Sequence, residues 1–308
     1  MSSAMPAFPT SWFRSFIIVA LSASLAFVGG CSVLRISYNQ APDLLYWYLD
    51  GYVDFTSEQT PRVRDALTQF LGWHRRTQLP DYATQLARAQ VEVLADTSGA
   101  RVCDWQDELL VRAHTAFERA VPAIADVVMT ITPQQIQHIE RRQAKANAEF
   151  RDDYLQADAR KRAGLTLKRT VDRAETLYGK LTETQRELIA EGLSRSPFDP
   201  EKWIAERRLR QQEVLGLLRR TAAEGSGAEQ VQAALKVYVQ RIERSPREAY
   251  RRHNERLAEF NCAFAATLHN GMNAAQRRIA ADKLAGWEGD LRALAADRPR
   301  AALAEALR

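Results

Sequence analysis

Three cysteines carry the most definite chemistry in this 308-residue chain. Cys31 closes the segment Val28–Gly29–Gly30–Cys31, behind an apolar run that begins at Phe16, Ile17, Ile18 and Val19 and follows Arg14. Two small residues let a peptidase grip the extended backbone, and the thiol that comes next can be acylated. The run is about a dozen residues, short of the roughly 20 that a membrane-spanning helix needs. Residues 1–30 therefore read as a cleaved lipoprotein signal peptide, with an uncleaved anchor or a simple secretory signal as alternatives. Ser32 rather than Asp after the cysteine points to the outer membrane, with residues 31–308 on its periplasmic face. That compartment is oxidising, so Cys103 and Cys262 can pair. Such a bridge closes a loop of about 160 residues, worth on the order of 5 kcal/mol on the chain-entropy model. The competing reading is two buried thiols on different helices.

Other chemistry is harder to find. His74, His114, His138, His253 and His269 are scattered without a metal-type spacing, so neither metal nor cofactor is expected. No nucleophile elbow and no phosphate-cradling glycine loop is present, and Asp152–Asp153 sits among Arg151 and Tyr154 as a solvated helix surface. A catalytic site is not expected; a hydrolase assembled from distant side chains is the remote third reading. Trp73–His74–Arg75–Arg76 is the best local candidate for ligand or partner contact, through an arginine on a carboxylate or phosphate. The stronger expectation there is a helix end before Pro80, with the arginines facing the C-terminal dipole. Arg207, Arg208, Arg210, Arg219 and Arg220, set against Glu201, Glu206 and Glu213, give a modest basic face on an amphipathic helix, read mainly as solvent-facing.

Composition narrows the classes. Formal charge is +5, and loss of Arg14 with the leader leaves about +4, mild and interspersed. Nucleic-acid binding is disfavoured by that and by the compartment. Scarce glycine, and an abundance of Ala, Leu, Arg, Gln and Glu, predict an all-α protein, an elongated multi-helix bundle.

The elements that must position these residues follow from periodicity. Helices are expected over 41–55, from Thr56 with Val63, Leu67, Phe70 and Leu71, and from a restart at Pro80 to about Asp96. Others span about 102–129 with Pro122 as a kink, 132 past Tyr154, 164–178, 183–193, 201–223, 228–242, 246–268 and 274–295. Ser196–Pro200 is the clearest break and a possible sub-boundary near 195–200. Leu44 to Leu49 would be apolar all round, which demands burial or a membrane interface. Core packing is favoured, because Asp43, Asp50 and Asp54 oppose an anionic surface.

Four helix starts share one layout: Thr56–Gln59, Thr132–Gln135, Thr182–Gln185 and Asn273–Gln276. In each, the first side chain can cap the helix while the glutamine reaches back to the cap's own N–H. Phe55, Ile131, Leu181 and Met272 precede them as hydrophobic staples. Leu181–Thr182–Glu183–Thr184–Gln185 resembles the Leu-Thr-x-x-Gln motif of Spy/CpxP-type periplasmic chaperones and stress regulators, whose helices form a cradle-shaped dimer. A wider resemblance is to a family of bacterial envelope lipoproteins with a domain of unknown function. It rests on a lipobox-like Val-Gly-Gly-Cys31, on Leu34–Asn39, Tyr46–Asp50 and Tyr52–Asp54, and on Trp73–Arg76 and Leu79–Ala83. It implies location and architecture and transfers no catalytic residue.

The expectation is thus a lipid-anchored periplasmic protein that works by binding. Its partners would be the membrane through its lipid and envelope or unfolded proteins; peptidoglycan or anionic lipid is the alternative. Oligomeric state stays open.

Overall fold

The computed structural model describes residues 33–297, so Cys31 and the leader lie outside the described residues. Eleven α-helices and no strand are found among those residues, in agreement with the all-α expectation. The chain divides into two units, Met1–Gln40 and Ala41–Arg308. Helix α1, Val33–Asn39, belongs to the first. The second holds α2 (Ala41–Val53), α3 (Gln59–Glu92), α4 (Gly99–Met129), α5 (Pro133–Tyr154) and α6 (Ala159–Tyr178). It continues with α7 (Glu183–Ser194), α8 (Pro200–Glu224), α9 (Ala228–Glu243), α10 (Glu248–Asn270) and α11 (Ala274–Ala296). No helix of the described residues is long and apolar enough to cross a membrane.

The scaffold is a long antiparallel hairpin of α3 and α4. Glu92 pairs with Arg101, Arg88 with Glu108 and Asp81 with Arg112, so the contacts advance on one helix as they retreat on the other. At 34 residues, α3 is about 50 Å long. Helix α11 runs antiparallel to α3, with Arg75 donating to the Leu294 carbonyl at one end and Arg277 meeting Asp96 at the other. Helices α10 and α9 follow one another along α4, through Asn270 with Thr97, Cys262 with Cys103, and Glu243 with His114. Cys103 and Cys262 form a disulfide, with Cα atoms 5.5 Å apart. The two helices come close there because Gly99 has no Cβ, which would stand 3.1 Å from the Ala263 Cα.

Pro80 does not restart a helix; α3 passes through it. The proline forfeits the bond to the Arg76 carbonyl, a loss of roughly 3 kcal/mol in an isolated helix. Burial of Leu79 and Ala83 on either side, and the Asp81–Arg112 pair at 2.5 Å, hold the segment in line. Pro122 is likewise inside continuous helix α4.

Two cores form near opposite ends of the hairpin. One packs Ala125 and Val128 of α4 with Ile136 and Ile139 of α5, Leu215 and Leu218 of α8, and Val231 and Leu235 of α9. The other joins Val93, Tyr178, Leu181, Ile189, Met272, Ala280 and Leu284. Helices α5 and α8 run antiparallel, with Phe150 stacked on Trp203 at 4.3 Å and Asn147 exchanging amide bonds with Gln211. The Ser196–Asp199 turn joins α7 to α8 within the second unit, and Asp199 caps α8.

Candidate functional site

The four helix-start motifs meet in pairs. At Thr132, Thr182 and Asn273 the side chain accepts from the backbone N–H three residues on, and the glutamine completes the box. Thr56 and Gln59 make the same reciprocal bonds, although the regular helix begins only at Gln59. Each glutamine uses its Oε1 in its own box, and its Nε2 reaches across to a second motif. Gln59 pairs with Gln135, Gln185 with Gln276, and each amide also donates to the carbonyl two residues before its partner's cap. Those carbonyls are Thr130, Asp54, Gly271 and Lys180. Two locally twofold hubs result, one beside each core, and all four glutamines are buried. Their amides are used up by neighbours, which makes them structural joints rather than ligand contacts.

Trp73–His74–Arg75–Arg76 lies in mid-α3, so its arginines do not face the end of their own helix, contrary to the sequence expectation. Trp73 and His74 join Phe70 and Tyr82 in a ring cluster, with Arg119 of α4 over the Trp73 ring. Burial holds the His74 imidazole below its usual range and favours the neutral ring. Arg75 does meet helix-end carbonyls, but those of α11, through Leu294. The four residues therefore diverge and frame no common ligand.

A concave charged surface lies elsewhere, at the turn between α9 and α10. A cleft of about 210 Å³ is lined by Arg210, Glu243, Arg244, Tyr250, Arg251 and neighbours. Arg210 in its wall joins it to an ion network around Glu206, which is only 3% exposed. Arg247 clamps Glu206 with two bonds of 2.6 and 2.8 Å and reaches Glu213 at 2.8 Å, while Arg210 adds a third contact to Glu206 at 3.1 Å. Burial on its own would push the Glu206 carboxyl up; Arg247, Ser245 and Arg210 outweigh it and hold the group below the usual carboxylate range. Arg244 is exposed at the rim and makes no side-chain bond to other described residues, and Arg251 is committed to the Ser245 carbonyl. Burial raises the Tyr250 hydroxyl.

Near this cleft α4 exposes three apolar side chains. Leu109, Leu110 and Val111, consecutive and therefore spread around the helix, are 60, 50 and 65% exposed. One turn further on, His114 pairs with Glu243, a wall of the cleft. Exposed apolar side chains and an arginine-lined hollow thus lie about one helical turn apart. Sequence reading placed Arg210, Glu206 and Glu213 on a solvated surface and passed over Leu109–Val111. The Arg244–Ser245–Pro246–Arg247 turn, with basic residues flanking a chain reversal, was the available signal.

The histidines stay apart. His253 lies tilted against the Tyr250 ring, and His269 bonds the Tyr178 hydroxyl and the Ala95 carbonyl, each at 2.8 Å. His138 meets the Gly51 carbonyl. No cluster of metal-ligating side chains occurs among the described residues.

No curated protein and no solved structure matches the chain significantly. A family of unknown function (DUF6279) matches residues 51–251, a span that includes the hairpin, the first glutamine hub and most of the cleft. The chain belongs to that family.

Proposed function

We infer that the protein is an outer-membrane lipoprotein whose periplasmic body holds other polypeptides through weak contacts and does no chemistry on them. The observation that carries this reading is the exposure of Leu109, Leu110 and Val111 about one helical turn from His114, which pairs with Glu243 in the wall of the arginine cleft. Apolar side chains of a non-native client bind these three residues, and client carboxylates and carbonyls bind the arginines. Neither ATP nor a cofactor is needed for such holding. The Val-Gly-Gly-Cys31 sequence supports the location, as does the Cys103–Cys262 disulfide, which suits an oxidising compartment. The Leu181–Gln185 motif adds a local likeness to Spy/CpxP-type chaperones.

The test is suppression of aggregation of several unrelated clients by the purified protein at equimolar ratio. Slower light scattering is expected, with the effect weakened in Leu110→Ser/Val111→Ser protein of unchanged helicity. Failure to slow any client removes the reading. A second reading, a glycan- or anionic-lipid-binding module, draws on Arg244 at the cleft rim. Salt-sensitive sedimentation with peptidoglycan or anionic vesicles supports it, and absence of binding in low salt ends it.

A further inference from the structure

Helix α2 turns a strip of large apolar side chains to solvent. Trp47 is 75% exposed, Tyr48 63% and Leu44 54%. With Gly51, where a Cβ would meet open space, they occupy positions i, i+3, i+4 and i+7 of one face. The opposite face is engaged: the Tyr46 ring stacks near Phe55 with Arg64 at 3.8 Å from its centroid, and its hydroxyl bonds Thr60. Core packing was the sequence expectation for these aromatics; no residue of α2 is fully buried, and only Tyr52 and Val53 of this helix pack, partly buried, against a core. A stretch apolar on all sides does not specify which side is covered.

We propose that the Leu44–Trp47–Tyr48 strip inserts into the headgroup boundary of the bilayer in which the Cys31 lipid is anchored. The residue types fit that occupant, because Trp and Tyr bury a ring while keeping a polar tip wet. The aspartates that opposed a membrane are accounted for. Asp43 is neutralised by Arg64 at 2.8 Å, and Asp50 faces inward to accept from the Phe55 N–H at 3.0 Å. Asp54, beyond the helix end, marks the limit of the strip. Only twelve residues separate Cys31 from Leu44, a contour of at most about 45 Å when fully extended, so a lipid at Cys31 keeps the strip close to the surface. Inserted beside the lipid, the strip would add buried apolar area and hold the body in one orientation against the surface. The inference rests on the lipoprotein reading for its choice of membrane.

The experiment is quenching of tryptophan emission in the purified, processed full chain bound to phosphatidylcholine vesicles that carry dibrominated acyl chains. Trp47 is one of five tryptophans after Cys31, so wild type should lose about one fifth of its emission beyond what Trp47→Phe protein loses. Equal fractional quenching of the two overturns insertion. Replacing the strip by Leu44→Asp/Tyr48→Asp should abolish the difference while helicity is unchanged; a persisting difference also overturns it. Alkyne-palmitate labelling in cells separates the two ideas. Labelled protein with unquenched Trp47 defeats insertion alone. Unlabelled protein with quenched Trp47 defeats the lipid anchor and leaves insertion standing.

Discussion

Gln59 and Gln135 are 76 residues apart and share a buried amide pair, with Gln135 Nε2 donating to Gln59 Oε1 at 2.6 Å. Gln185 and Gln276 repeat the arrangement 91 residues apart. Each amide ties two helix corners, so the loss of one leaves a buried partner amide and a backbone carbonyl without their donors. Gln185→Ala is expected to destabilise the fold by about 3 kcal/mol, and the Gln185→Ala/Gln276→Ala double mutant by clearly less than the sum of the single mutants. Urea titration of the four proteins measures both quantities. Strict additivity would mean that the hub does not act as a unit.

The Cys103–Cys262 bridge fastens α10 to α4 across a sequence separation of 159. Reduction is expected to lower the melting temperature, with a loss on the order of 5 kcal/mol in the chain-entropy picture. A thermal melt with and without dithiothreitol checks it, and Cys103→Ser/Cys262→Ser protein should be insensitive to the reductant.

The carboxyl of Glu206 is held below its ordinary value in the folded state. Its contribution to stability is therefore complete above the unfolded carboxylate range near 4.5, and it fades as pH falls through the lower folded value. Glu206→Gln should cost about 3 kcal/mol at neutral pH, because Arg247 and Arg210 lose their buried counter-charge. Its stability should also fall less steeply with acid than that of wild type. Denaturation midpoints between neutral pH and pH 3 test the sign; equal acid slopes would refute it.

Gly192 lies beneath the Phe264 ring, whose nearest atom would be 2.2 Å from a Cβ at that position. Gly192→Val is expected to destabilise by about 1–3 kcal/mol through overpacking. Pairing it with Phe264→Leu should recover part of the loss, as read by the same urea titrations.

How much of this was legible in the sequence depends on whether local chemistry was enough. The capping boxes were, since Thr132 and Gln135 complete one another within a single turn. Their pairing into hubs was not, because an Nε2 left over from a box looks the same whether it meets water or another glutamine 76 residues away. Pro80 was assigned by its local penalty, which burial of Leu79 and Ala83 and the ties to α4 override. Glu206 and Arg210 read as members of one solvated charged face; the residue that draws Glu206 inward, Arg247, is 41 positions on. Arg75 was assigned to the C-terminal end of its own helix; that helix runs on through Pro80, and the carbonyl Arg75 meets, Leu294, belongs to α11.

Client binding by the face around Leu110 is most directly tested by a photo-crosslinking side chain at that position in intact cells, with the exposed Lys145 of α5 as control. Many different envelope polypeptides joined at position 110, and few at 145, are the expected result. Equal yields at the two positions, or no adduct at position 110, would contradict polypeptide holding by this surface.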